Sequence, residues 1–288
     1  MRALALFIMR GRFQAVIIAL IGSWVPLLSQ AALGMVTLRK GWQEGLLLSL
    51  WALLPLLAGL WIGDVGFVLV YATSAVLFVT YALALVLRAT VSWSHTLFLA
   101  VVLSIFSVLV INFFVADLSE ELTGVYRTII KDMASSGVEG GAGSAQGFGG
   151  FTSIETSSLI AFWIGITSIA GVLLARWFQA LAYNPGGFQR EFHDLRLNVP
   201  LAVVSLLAFL FCTFKGNDYR LWAHLLGFPL ALAGLGLVHF VVVRLKWGVT
   251  PLVLMYVALI IFSPLAVVLI VAAFSDVWLD YRQKFIKQ

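Results

Sequence analysis

Apolar runs of bilayer length, separated by short polar joints, constrain this chain more than any other feature. Such runs cover 45–62, 66–87, 96–116, 158–182, 199–214, 221–243 and 249–275. Crossing a hydrocarbon core takes roughly 20 helical residues, so these runs read as membrane helices. Composition agrees: 62% of residues are hydrophobic and 11% charged, against about 25% charged in a soluble domain. Mean hydropathy is +1.04. The expected fold is all-α, a polytopic transmembrane bundle of about eight or nine membrane segments forming one domain over 1–288.

The net charge of +5 fits the positive-inside bias of a bacterial inner-membrane protein better than nucleic-acid binding. Cys212 is the single cysteine and lies in an apolar run, so no disulfide framework and no cysteine metal site are expected.

The first apolar stretch, 13–38, is broken at Gly22-Ser23-Trp24-Val25-Pro26. It reads either as one long Pro-kinked span or as a tight hairpin of short helices, 13–24 and 27–38. The hairpin puts Arg2, Arg10 and Arg12 on the same side as Arg39 and Lys40, as the charge rule favours. Each arm is then about 12 residues long, too short to cross, and must be buried against other helices or be re-entrant. Ser29-Gln30-Ala31 imitates a signal cleavage site, but Arg10 and Arg12 interrupt the apolar run, and the segment reads as uncleaved.

Between spans, Asp117–Leu122 opens an amphipathic helix with acidic residues in its first turn, where they meet the positive end of the dipole. A Gly- and Ser-rich stretch follows through Gly150, and the whole insertion, 117–157, is expected on the extracytoplasmic side. Its glycines lack the Lys-Ser/Thr of a phosphate loop. The span scheme leaves Arg282, Lys284 and Lys287 on that side too, against the charge rule, so either the run interrupted at Pro264 does not simply cross or one span is miscounted.

The densest polar chemistry runs from Arg176 through Asn184-Pro185-Gly186-Gly187 to Arg196. The Pro-Gly-Gly stretch is a turn. Phe188, Phe192 and Leu195 then recur on one helical face, which predicts a cytoplasmic interfacial helix over 183–198 with its phenylalanines in the acyl region. Arg176, Arg190, His193 and Arg196 are the candidate lipid or anion contacts. Asn112 and His239 are the polar residues deepest within spans, and a polar group there must face the bundle interior or a cavity. No His/Glu spacing suggests a metal, no Ser/His/Asp or paired-carboxylate pattern suggests hydrolysis, and no cofactor is implied. Ala15 and Ala19 form a small helix face suited to close packing, inside the chain or against a partner.

The Leu38-Arg39-Lys40-Gly41 joint, Leu53-Leu54-Pro55 and the closing Asp276-Val277-Trp278-Leu279-Asp280-Tyr281-Arg282 resemble a family of polytopic bacterial membrane proteins typified by YybS, which has no established activity. The hydropathy of that family is similar to that of substrate-binding subunits of energy-coupling-factor transporters. Those subunits dock a coupling subunit through a small-xxx-small face on the first helix, and Ala15 and Ala19 match that face. They usually have about six spans, fewer than the segments read here. The resemblance implies a non-enzymatic, transport-related inner-membrane protein that binds a small solute or lipid within the bundle. The alternative is a structural or assembly scaffold of the cell envelope. A membrane-embedded lipid enzyme is disfavoured for want of a catalytic constellation.

Overall fold

The structure, a computed structural model, describes residues 1–22, 25, 27–63, 66–115, 117–135, 151–262 and 264–286. Among these there are fourteen α-helices, one short 3-10 turn and no strand. They are α1 (Arg2–Arg10), α2 (Arg12–Ile21), α3 (Leu28–Lys40), α4 (Trp42–Ile62), α5 (Phe67–Thr90), α6 (Trp93–Phe114) and α7 (Leu118–Ser135). There follow α8 (Ser153–Tyr183), α9 (Gly187–His193), α10 (Val199–Lys215), α11 (Arg220–Arg244), α12 (Thr250–Ile261), α13 (Leu265–Leu279) and α14 (Tyr281–Ile286). Five are long and apolar enough to cross a membrane, namely α4, α5, α6, α8 and α11 extended back to Asn217. The Gly-rich stretch through Gly150, the Ser23-Trp24 and Pro26 part of the first break, and Lys287 lie outside the described residues.

Side-chain contacts sort the helix ends into two groups. At one end, Arg88 Nη1 of α5 donates to the carbonyls of Thr37 and Leu38 at the close of α3. At the same end, the Ser94 hydroxyl and Asn198 join the starts of α6 and α10, and Arg176 meets Glu191 of α9. We call this the basic end. At the far end, the Phe151 amide ahead of α8 donates to the α7 hydroxyl of Thr123 at 3.0 Å. Asn112 of α6 also reaches Ser157 there.

The first apolar stretch is a hairpin of two separate helices. Arg12, opening α2, pairs with Glu44 near the start of α4. The Ser29 hydroxyl, opening α3, donates to the Ala19 carbonyl at 2.5 Å. The closed end therefore lies inside the bundle and both free ends lie at the basic end. With 13 residues, α3 is about 20 Å long, short of a hydrocarbon core of about 30 Å. Ala31, Ala32, Leu33 and Met35 are all 0% exposed, because α2, α4, α5 and α8 surround the helix.

The seam between α3 and α8 is close because its residues are small. A Cβ on Gly34 stands 2.8 Å from the Ala175 Cβ, and one on Gly171 stands 2.5 Å from the Gln30 Cβ. The two helices therefore run parallel, with Gln30 beside Gly171 and Gly34 one turn on beside Ala175. Both approaches are tighter than side chains tolerate, so only glycine allows this spacing.

The last long apolar run, 249–275, departs from the expected single span. It breaks after Ile261 into α12 and α13. The later helix returns to the basic end, where the Val277 carbonyl accepts from Arg196 Nη2 at 2.5 Å and the Leu195 carbonyl accepts from Arg282 Nη2 at 2.8 Å. The chain turns because Phe262 leaves the helical conformation just ahead of Pro264, which cannot extend the hydrogen-bond ladder. The described part of the basic tail thereby lies at the basic end with Arg196 and its connector. Pro55 and Pro229, by contrast, sit within continuous helices.

The seam makes a direct test. Gly34→Leu or Gly171→Leu should destabilise the protein by about 1–3 kcal/mol through overpacking. Gly124→Ala on α7, where a Cβ meets nothing within 4 Å, should be neutral or stabilising. Thermal unfolding in detergent, followed by size exclusion, separates these outcomes.

Candidate functional site: a cavity over the half-crossing hairpin

Because the α2–α3 hairpin stops partway, the helices around it continue beyond its tip, and among the described residues none fills the space between them. A cavity of about 480 Å³ fills that space, within the roughly 300–1,000 Å³ of ligand pockets. Its floor is the tip itself, Gly22, Val25, Leu27, Ser29 and Gln30, and its walls come from α4, α5 and α8. Gly22 closes the turn: a Cβ there lies 2.5 Å from the Ser29 backbone nitrogen. Leu27 takes a left-handed φ of 66°, a conformation rarely used by bulky residues.

Apolar side chains dominate the lining, with Leu56, Leu77, Trp163 and Ile166 on the walls. The polar groups are few and uncharged: Ser29, Gln30, Thr73 and Thr167. Thr73 and Ser29 give their hydroxyl protons to the Leu69 and Ala19 carbonyls and keep acceptor capacity. Gln30 differs, since its Oε1 is shut off from solvent and has no hydrogen-bond partner. Leaving such an acceptor unmet costs about 1–3 kcal/mol.

The expected site residues are dispersed. Arg176 forms a bidentate pair with Glu191, its Nε 2.8 Å from Oε2, and its Nη1 donates to Gln179 Oε1 at 2.9 Å. Arg196 pairs with Asp280 at 3.2 Å and faces an open groove with His95 and Ser94. Arg190 is exposed. His193 stands 6.4 Å, ring to ring, from His239, which lies 2.9 Å from the Tyr256 hydroxyl of α12. Asn112 donates to Ser157 Oγ at 3.3 Å. None of these side chains lines the cavity. Ala15 and Ala19 are 3% and 0% exposed, so their small face packs within the chain.

The turn-and-helix reading of 183–198 finds its helix over Gly187–His193, but the apolar face meets protein. Phe192 stacks edge-on to His239 at 5.4 Å, its carbonyl lies against Gly236 of α11, and Leu195 is 3% exposed. The cause is the small residue on α11, which opens a groove for this face.

Two sets of residues escaped the sequence reading. One is the polar floor of the cavity, for which Gln30 just past the Gly22–Pro26 break was the available signal. The other is a buried ion network at the basic end. Arg282 Nη1 donates to Asp276 Oδ2 at 2.9 Å, with Asp276 only 1% exposed. Burial pulls the Arg282 guanidinium below its ordinary value, and the adjacent Asp276 carboxylate opposes that pull. Among the described residues no group of three His, Cys, Asp or Glu could hold a metal ion.

No family model matches the chain, and neither the curated proteins nor the solved structures contain a match.

Removing one partner of the buried pair, as in Asp276→Ala, should cost about 3–5 kcal/mol. The double variant Asp276→Leu with Arg282→Met should recover most of that loss in detergent unfolding. A second expectation concerns pH. Burial lowers the His193 imidazole below its ordinary value, with Asp194 opposing and Arg282 reinforcing the shift. The unfolded chain then takes up a proton near pH 6.5 that the folded chain resists. This contribution to stability is full above that pH and is lost as pH falls. His193→Gln should therefore flatten the decline in unfolding temperature between pH 7.5 and 5.

Proposed function

We propose that this chain is a non-enzymatic, transport-related protein of the bacterial inner membrane, binding a small solute or lipid in the cavity over the α2–α3 tip. The observation that carries this reading is the cavity itself, apolar in its walls and polar only at its floor. Irregular backbone at membrane depth is tolerated where it is buried in protein or lines a cavity, and discontinuous helices mark many midplane binding sites. In this reading α4, α5, α6, α8, α10 and α11 cross the membrane, while α2–α3 and α12–α13 enter and leave from the cytoplasmic, basic end. The segment α7 then lies outside. A resemblance to YybS-like proteins and to substrate-binding subunits is compatible with six crossings, although docking of a coupling subunit would need a surface other than the buried Ala15 and Ala19. The scaffold alternative draws only on the lightly packed α7 and has no comparable site.

Filling the cavity tests the reading. Native mass spectrometry of protein extracted from membranes should detect a bound small molecule in the wild type and lose it in Ala170→Trp. The lipid-facing control Leu207→Trp should retain it. Identical spectra for all three variants would count against a ligand in this cavity.

A further inference from the structure

We infer that the cavity takes an uncharged, hydroxyl-bearing lipid from the side, with the Gln30 carboxamide selecting the hydroxyl. This rests on the reading that the cavity holds a ligand, and it specifies the ligand's class and route.

The route follows from where the cavity ends and where it opens. Along α5 and α8 its lining stops at Thr73 and Trp163, about 9 and 15 Å short of the far ends of those helices. Two lining residues nonetheless reach the surface, Val25 at 45% and Trp163 at 57% exposure. Trp163 belongs to the apolar stretch of α8 between Leu159 and Ala175, so the surface it reaches is at hydrocarbon depth. The helices on either side leave a gap. Whereas α4 packs on α2, α3 and α5, α8 packs on α1, α3, α5, α6 and α11, and the two share no extended contact. An entrance at that depth meets acyl chains before it meets water.

The class of ligand follows from the lining. No ionisable side chain contributes to it, and a charged headgroup drawn to this depth without a counter-charge is strongly disfavoured. Acyl chains match the Leu56, Leu77 and Ile166 walls. At the floor, the Gln30 amide has one end in the wall, with Oε1 unpaired. Half a turn about the last side-chain bond exchanges its oxygen and nitrogen. A hydroxyl in the cavity accepts from the end that faces it when that end is the nitrogen and donates to it when it is the oxygen, so it pairs with the cavity-facing end of Gln30 in either orientation. Thr167, also on the wall, supplies a second hydroxyl partner. A diacylglycerol-like molecule has this combination of two chains and one neutral hydroxyl.

The test uses the full chain in phosphatidylcholine vesicles doped with an acyl-brominated 1,2-diacylglycerol, or with its 3-deoxy analogue carrying the same chains. Bromine quenches nearby tryptophan, and the Trp163 signal is the difference between wild type and Trp163→Phe. We expect the hydroxyl compound to half-quench Trp163 at about fivefold lower membrane concentration than the deoxy analogue, as one net hydrogen bond implies. In Gln30→Leu the two curves should coincide. Equal quenching by both lipids in the wild type would overturn the hydroxyl selection while leaving a ligand in the cavity possible. Quenching of Trp163 by aqueous acrylamide but by neither lipid would overturn side entry and favour a water-soluble solute. If none of the three reagents responds to Ala170→Trp, the cavity itself is not a binding site and both readings fall.

Discussion

A turn between Ala19 and Ser29, deep inside a helix bundle, must satisfy backbone groups that no helix uses. In hydrocarbon each unmet group costs several kcal/mol, and the described backbone of the turn is paired, the Val25 amide with the Gly22 carbonyl and the Leu28 amide with the Val25 carbonyl. The Ser29 hydroxyl takes the Ala19 carbonyl, Gly22 lets the two strands of the turn close, and α3 is wrapped on nearly every side. The glycine seam with α8 is the means of that wrapping, since it brings the α8 backbone against α3 where larger residues would hold it off. The cavity is the complement of the same geometry. Helices long enough to cross surround a hairpin too short to do so, and the volume left over lies beyond the tip.

The basic end is less basic than its residue count. Arg12 meets Glu44, Arg176 meets Glu191, Arg196 meets Asp280 and Arg282 meets Asp276. Arg39 lies over the Tyr183 ring at 4.4 Å, and Arg88 caps the carbonyls that end α3, where a cation is favoured by the helix dipole. Most of these arginines therefore hold helix ends and connectors in register. The Asp276–Arg282 pair is the most buried, and it holds the guanidinium whose Nη2 donates to the Leu195 carbonyl, the bond that ties the C-terminal segment to the connector between α9 and α10. Buried pairs of this kind contribute little net stability compared with apolar packing, yet breaking one is costly. Their value here is in fixing which connector meets which helix.

How much was legible in the sequence follows from what each signal reports. Hydropathy located every long helix to within a few residues, since a run of apolar residues about 20 long has few other uses. The charge rule, applied to Arg12 and Arg39, favoured the hairpin, and two separate helices are found. For 249–275 the conflict of the basic tail with the same rule pointed either to a run broken at Pro264 or to a miscounted span, and the sequence alone does not decide between them. Side-chain pairing was not legible. Arg176 and Glu191 are 15 residues apart and Arg196 and Asp280 are 84 apart, so although Glu191 lies within the same polar stretch, no local spacing showed which carboxylate meets which arginine. Asn112 and His239 drew attention by their depth within spans, but each has a neighbouring partner in Ser157 or Tyr256. Among the described residues Gln30, Thr80 and Thr156 each carry a buried side-chain oxygen without one, and only the fold shows that Gln30 is the one of the three that lines the cavity.

The two hairpins of short helices, α2–α3 and α12–α13, differ in burial, and that difference bears on where a ligand can bind. In α2–α3 the second helix is enclosed, so the tip has protein on its flanks and a bounded space ahead of it. In α12–α13 the first helix has no buried residue, and Val253, Leu254, Ile260 and Ile261 are more than half exposed. The exposed flanks of that helix leave nothing among the described residues to confine a ligand. Its polar tie to the bundle is the approach of Tyr256 to His239, close to the basic end rather than at depth. A recognition site needs walls that hold shape and a polar group whose alternative is to go unsatisfied. Only the first hairpin brings both together, with glycine-set packing behind Gln30 and its carboxamide at the cavity floor.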